Sequence, residues 1–183
     1  MDPALRQAEY QAMRATIVQR GTVRMVLAPA TFVAWAGTAV ATTAVITVAV
    51  STLVPLMVLA AGFEAIYALH VNVERIGRYL QVFHEPDGGW ECVTMEFGRR
   101  FPNAGTDPLF SRLFALAVSV NFLPVALGGE LPEMVVLALL HLLFINRIRS
   151  ARSFASRQRT EDLERFRALL GSPDDASRVT VEQ

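Results

Sequence analysis

Glu64 is the first residue in this sequence that asks for a chemical explanation. It follows 39 consecutive uncharged residues, Met25 to Phe63. A carboxylate inside a membrane-spanning segment costs roughly 2.5–3.5 kcal/mol on insertion scales. Such an acid suits proton relay, ion coordination, or a hydrogen bond to a quinone or pigment. The plainer alternative is a paired or protonated acid that pins two helices together. Two histidines form a second set. His70 lies five residues before Arg75, and His141 six before Arg147. Two imidazoles at matched depth could ligate haem iron, or each could hold a chlorophyll-type magnesium. Their alternative role is local hydrogen bonding. Glu64 lies six residues from His70 and so points to another side of the helix. No Glu-x-x-His pair is present, which argues against a di-metal carboxylate bundle. Asn121, three residues before Pro124 in a third apolar run, is expected to join helices by its amide.

Other chemistry is not signalled. The sequence contains no Gly-x-Gly-x-x-Gly, P-loop, Gly-x-Ser-x-Gly or His-Glu-x-x-His pattern. Cys92 is the single cysteine, so an intrachain disulfide and a cysteine-based zinc cluster are excluded. His84, beside Glu85, reads as a solvated loop residue. The reading therefore assigns no catalytic residue and no metal site.

The elements that must carry these residues are helices in a bilayer. The 183 residues are 52% hydrophobic and 19% charged, against the quarter usual in soluble domains. The formal net charge is zero, which disfavours nucleic acid as a partner. A span needs about 20 apolar residues. The run from Met25 to Phe63 is too long for one and fits two, near 25–46 and 52–73, with the turn around Val48 to Thr52. Ala34-Trp35-Ala36 resembles a signal cleavage site, but the apolar run continues for 27 residues beyond it, so a retained span is expected. Leu113–Gly129 and Met134–Asn146 are uncharged for 17 and 13 residues. Extended to Leu109 and Arg147, with Arg112 and Arg147 snorkelling, they supply two more spans. The expected fold is all-α: a polytopic membrane protein with four transmembrane helices as two hairpins, plus cytoplasmic amphipathic helices.

This division gives an N-terminal cytoplasmic helix (1–24), a first hairpin (25–73), a cytoplasmic loop with helical segments (74–108), a second hairpin (109–146), and a cytoplasmic helix and tail (147–183). All 17 basic residues are Arg, and none falls in the two turns on the opposite side. The positive-inside rule then places both termini in the cytoplasm of a bacterial-type inner membrane.

Local signals fill in the rest. Asp2-Pro3 suits a helix start and Gly21 a helix end. Tyr10, Met13 and Ile17 form an apolar stripe. Glu74 with Arg78, and Glu161 with Arg165, are spaced for i, i+4 pairs. The stretch from Glu85 to Gly89 stops the second helix, and Trp90, Val93, Phe97 and Phe101 recur as one face of a short helix. Trp90, Phe97, Arg99 and Arg100 are candidate contacts to lipid or a partner. Thr106-Asp107-Pro108 reads as a cap, and Gly171-Ser172-Pro173 as a stop. A helix break is allowed between Ser156 and Thr160. Gly37 with Ala41, and Ala61 with Ala65, give the small-xxx-small spacing of a closely packed hairpin. The leading functional expectation is a non-catalytic accessory or assembly subunit beside other integral-membrane subunits, with an energy-transducing complex in view. The alternatives are a haem- or pigment-binding electron-transfer subunit using His70 and His141, and a small transporter or channel with Glu64 in its pathway.

Overall fold

The computed structural model describes residues 2–45, 48–85, 88–101 and 108–171. Every regular element among these residues is helical: α1 (Pro3–Val45), a 3₁₀ turn (Ala49–Thr52), α2 (Leu53–Phe83), α3 (Trp90–Arg100), α4 (Pro108–Gly128) and α5 (Leu131–Leu170). Four stretches are long and apolar enough to cross a membrane: α1, the 3₁₀ turn with α2, α4 from Ser111, and α5. Helix is the form such sequences must take, because hydrocarbon offers the backbone no partner but itself.

Several helix ends follow from single residues. The Asp2 carboxylate accepts from the Ala4 N–H at 2.9 Å and opens α1. Gly88, at φ +99°, adopts the left-handed conformation that lets the chain turn before α3. Gly171 N–H returns to Arg167 O at 3.1 Å and closes α5. Thr106, Asp107, Ser172 and Pro173 lie outside the described residues.

One helix is longer than expected. Gly21 does not end the N-terminal helix; α1 runs through it to Val45. A glycine inside a helix costs about 1 kcal/mol relative to alanine, which is not enough to break a hydrogen-bonded ladder. The break allowed at Ser156–Thr160 is not used, and α5 is continuous. Thr160 does not cap a new helix: its hydroxyl bonds back to Ser156 O at 3.4 Å.

The chain divides into two compact units, one of 1–21, 70–105 and 154–183, the other of 22–69 and 106–153. The second is the more apolar. Its core centres on Leu59, Phe63, Phe114 and Val118, all buried. Phe63 meets Phe114 edge-on at 5.3 Å and Phe144 edge-on at 5.8 Å, the geometry the ring quadrupole favours. The first unit packs Leu80 and Leu163 inside, with Phe166 edge-on to Tyr79 at 5.7 Å.

Close helix approach within the second unit does not use the expected small residues. Gly37, Ala41, Ala61 and Ala65 are all exposed, and a Cβ at Gly37 would meet nothing within 4 Å. The approach occurs at Gly62, where a Cβ would overlap the side chain of Thr31. The reason is rotational. Ala28, Thr31 and Trp35 turn inward on α1, which carries Gly37 and Ala41 to the far side. On α2, Leu59, Phe63 and Ile66 fix the inner face and bring Gly62 beside it.

This contrast predicts opposite effects of one added methyl group. Gly62→Ala is expected to lower stability by about 1–3 kcal/mol through overpacking. Gly37→Ala should be neutral or stabilise by up to about 1 kcal/mol. Reversible unfolding in mixed detergent micelles measures both; equal effects would refute the assignment of the contact to Gly62.

Candidate functional site

Asn121 on α4 is 5% exposed and His141 on α5 is 3% exposed, so every polar atom on them needs a partner. Those partners fix the chemistry of the cluster. His141 Nδ1 lies 2.7 Å from Leu137 O. A carbonyl only accepts, so Nδ1 carries the proton and the ring is the neutral Nδ1–H tautomer. Nε2 is then an acceptor, and it receives one Asn121 Nδ2–H at 3.1 Å. The other Nδ2–H donates to Thr52 O at 2.9 Å. Asn121 Oδ1 accepts from Trp35 Nε1–H at 3.1 Å. The Trp35 donor, the Thr52 carbonyl and the Leu137 carbonyl together leave a single consistent orientation for both the amide and the imidazole.

That saturation bears on the expected ligand role. The Nε2 lone pair of His141 is directed at an amide proton, and Nδ1 is protonated. Neither nitrogen offers a lone pair to haem iron or to magnesium without breaking the cluster. His70 is half-buried and belongs to the other unit, so the two histidines form no joint constellation within either unit. An open groove of about 310 Å³ runs beside the cluster, with Trp35, Thr52, Asn121 and Pro124 among its walls. Its surface is mainly apolar, formed largely by alanine, valine and proline side chains.

Glu64 has a basic partner that its own segment does not contain. Arg147 Nη2 donates to Glu64 Oε2 at 2.8 Å. The guanidinium lies 4.7 Å from the Tyr67 ring centre and 6.0 Å from that of Phe63. The side chains of the pair are 37% and 48% exposed, Arg147 and Glu64 respectively. The acid therefore stands as half of an ion pair between α2 and α5.

The first unit carries a denser charge network. Glu91 at the start of α3 is 8% exposed and faces Arg14 Nη1 at 2.8 Å and Arg78 Nη2 at 3.5 Å. Arg14 also reaches Glu85 at 2.8 Å, and Glu85 accepts from the Glu91 backbone N–H at 2.9 Å. A Cβ at Gly77 would come within 2.7 Å of the Glu91 carboxylate, so glycine there admits the acid against α2. Arg159 meets Glu74 at 2.7 Å and Arg75 meets Asp162 at 3.0 Å. The expected local pairs are present in different strength: Arg165–Glu161 at 3.2 Å, Arg78–Glu74 only at 3.9 Å. Arg78 spends its guanidinium on Glu91 and on Gln81 at 3.0 Å. Both Arg78 and Tyr79 lie past the apolar part of α2, beyond the expected span of 52–73. Burial pushes Arg78 down from the ordinary arginine value, and the nearby Glu74 carboxylate opposes that shift. Tyr79 donates to Glu9 at 2.6 Å; burial first, and this bond second, push its phenol up to about 12.

On α3, Trp90 is 68% exposed and Phe97 54% exposed, while Arg99 pairs with Glu96 at 2.7 Å. Arg100 is exposed. Sequence reasoning did not assign the pairings of Trp35, Thr52, Arg147, Arg14, Glu85, Glu91 or Asp162. One signal was available: an indole N–H inside an apolar run must find an acceptor, which pairs Trp35 with a buried amide. Comparison with protein-family models, curated proteins and solved structures finds no match for this chain.

Two outcomes follow from these contacts. Asn121→Leu orphans the Trp35 N–H and the Thr52 carbonyl, and should cost about 1–3 kcal/mol. Unfolding in micelles checks this, and an unchanged midpoint would contradict the cluster. The second concerns pH. Tyr79 has a raised pKa in the folded state, so its contribution is complete below the unfolded value near 10 and is lost as pH rises towards about 12. Wild-type stability should fall through that window, and Tyr79→Phe should flatten part of the fall in an alkaline unfolding series.

Proposed function

We propose that this chain is a non-catalytic accessory or assembly subunit of a larger complex in a bacterial-type inner membrane, with both termini in the cytoplasm. One observation carries the reading: the acid, the buried amide and the buried imidazole of the membrane-crossing stretches each have side-chain partners on another helix. Asn121, His141 and Trp35 close one cluster, and Glu64 with Arg147 closes a pair. A residue that relays protons or binds a cofactor needs an atom open to that task. Here those atoms hold helices in register, which is the use expected of a scaffold.

The orientation rests on charge. The Arg residues gather on the side of the termini and the loop between α2 and α4, while Gly128 to Glu133 carries only acids. The outer faces of the spans remain apolar, with Val33, Val40, Leu127, Val136 and Leu139 all exposed. Such faces suit lipid and neighbouring integral-membrane subunits alike.

Affinity purification of the tagged full-length chain in a mild detergent should return other integral-membrane chains in fixed stoichiometry on native gels. A monomer that purifies alone under several mild detergents would reject the accessory role. Reporter fusions test the topology: alkaline phosphatase joined after Gly129 should be active, and joined after Gln183 inactive. Activity at Gln183 would reverse the orientation.

A further inference from the structure

We propose that α3 is an interfacial anchor whose exposed face lies on the bilayer surface, with anionic phospholipid as its occupant. The helix has two faces with different fates. On one, Glu91 is buried against Arg14 and Arg78, and the Cys92 thiol lies 3.6 Å from Glu85 O. Met95 is half-buried on the same side. On the other, Trp90, Val93 and Phe97 are 68%, 64% and 54% exposed, and Phe101 continues the row at 51%. At about 100° per residue, Trp90, Val93 and Phe97 fall within one narrow arc, nearly opposite the arc of Glu91, Cys92 and Met95. The ion pairs of Glu91 therefore hold the apolar row outward.

Three features select lipid as what covers that row. The first is connection. Only six residues separate α2 from Trp90, and seven separate Arg100 from Pro108, so α3 is tethered at both ends to helices able to cross a membrane. The second is composition. A tryptophan and two phenylalanines form most of the row, and aromatic rings with an apolar body are the side chains that settle at headgroup depth. The third is charge. Arg99 and Arg100 occupy the last turn, beside the exposed Phe97 and Phe101. Glu96 offsets one of them by its contact with Arg99. The remaining positive charge suits a phosphate headgroup, and the aromatic row supplies the larger part of the attraction. Phe97 and Phe101 pack together at 5.1 Å, which gives the C-terminal end a compact apolar wedge next to those arginines.

The test uses the full chain in vesicles of phosphatidylcholine and phosphatidylglycerol. In a Trp35→Phe background Trp90 is the only tryptophan. Its emission should be blue-shifted, should lose most of its intensity to lipids brominated near the carbonyl region, and should resist iodide added to the water. Iodide access without bromolipid quenching would overturn the proposal, and shielding from both quenchers would mean a protein covers the face and would overturn it equally. A second variant, with Trp35 intact, guards against loss of folding through that substitution. A spin label at Phe97→Cys, with Cys92→Ser, should be relaxed more by oxygen than by a water-soluble nickel chelate. Arg99→Gln with Arg100→Gln should shift that ratio towards the nickel chelate in anionic vesicles and leave it unchanged in purely zwitterionic ones; no shift in either would remove the phosphate contact from the proposal.

Discussion

An amide in hydrocarbon must place two N–H groups and a carbonyl oxygen, and at Asn121 all three are placed. The second unit depends on this satisfaction more than on its apolar core. Lipid tails are as apolar as leucine, so burying leucine against leucine gains little over leaving it in the bilayer. Directional bonds do discriminate. Asn121 on α4 takes the indole of Trp35 on α1, the Thr52 carbonyl at the end of the 3₁₀ turn, and the imidazole of His141 on α5. A rotation of any of these elements by one residue would break a bond with no water to replace it. Each such contact is worth about 0.6 kcal/mol on average in membrane helices, but an orphaned partner costs more. The cluster therefore specifies register more than it adds stability.

The first unit solves the opposite problem. It carries charges that must be kept near one another without being left bare. Glu91 and Arg78 are both buried, and a buried charge left without any partner costs about 3–5 kcal/mol. The arrangement is shared: Glu91 faces two arginines, Arg14 faces two carboxylates, and Glu74 faces Arg78 and Arg159. Asp162 is buried against Arg75 in the same manner. Networks of this type are hard to alter one residue at a time. The exposed Glu96–Arg99 pair on α3 belongs to a different class, because solvent screens it. Its surroundings are set by the aromatic row instead.

Much of the architecture was legible in the sequence, and the reasons are local. Long uncharged runs fixed four membrane-length helices, and Asp2-Pro3 and the stretch from Glu85 to Gly89 marked where helices begin and end. The aromatic period from Trp90 to Phe101 fixed α3. What failed, failed for lack of a third dimension. Gly21 looks like a boundary by residue type, yet the ladder on either side was continuous enough to override it. The small residues at Gly37, Ala41, Ala61 and Ala65 carry the right spacing, but spacing says nothing about which face turns inward; Phe63 and Trp35 decided that. Glu64 was visible as an expensive residue. Its partner, 83 positions later, was not, because no period or propensity connects α2 with α5. Asn121 stood out as a polar amide in an apolar run, without any means to name the indole, carbonyl and imidazole it meets.

The Glu64–Arg147 pair completes a logic that neither residue expresses alone. A solitary carboxylate in a span is costly, and a solitary arginine is as costly. Together they cost less, since each supplies the charge the other lacks and the Tyr67 ring covers one side of the guanidinium. The pair joins α2 to α5. The amide cluster joins α1 to α4 and α4 to α5. Followed from helix to helix, the polar ties make one unbroken chain through the second unit: α1 to α4, α4 to α5, α5 to α2. Each stretch able to cross the membrane is thus held by at least one bond that lipid cannot imitate. Apolar packing then fills the space between helices whose register has already been chosen.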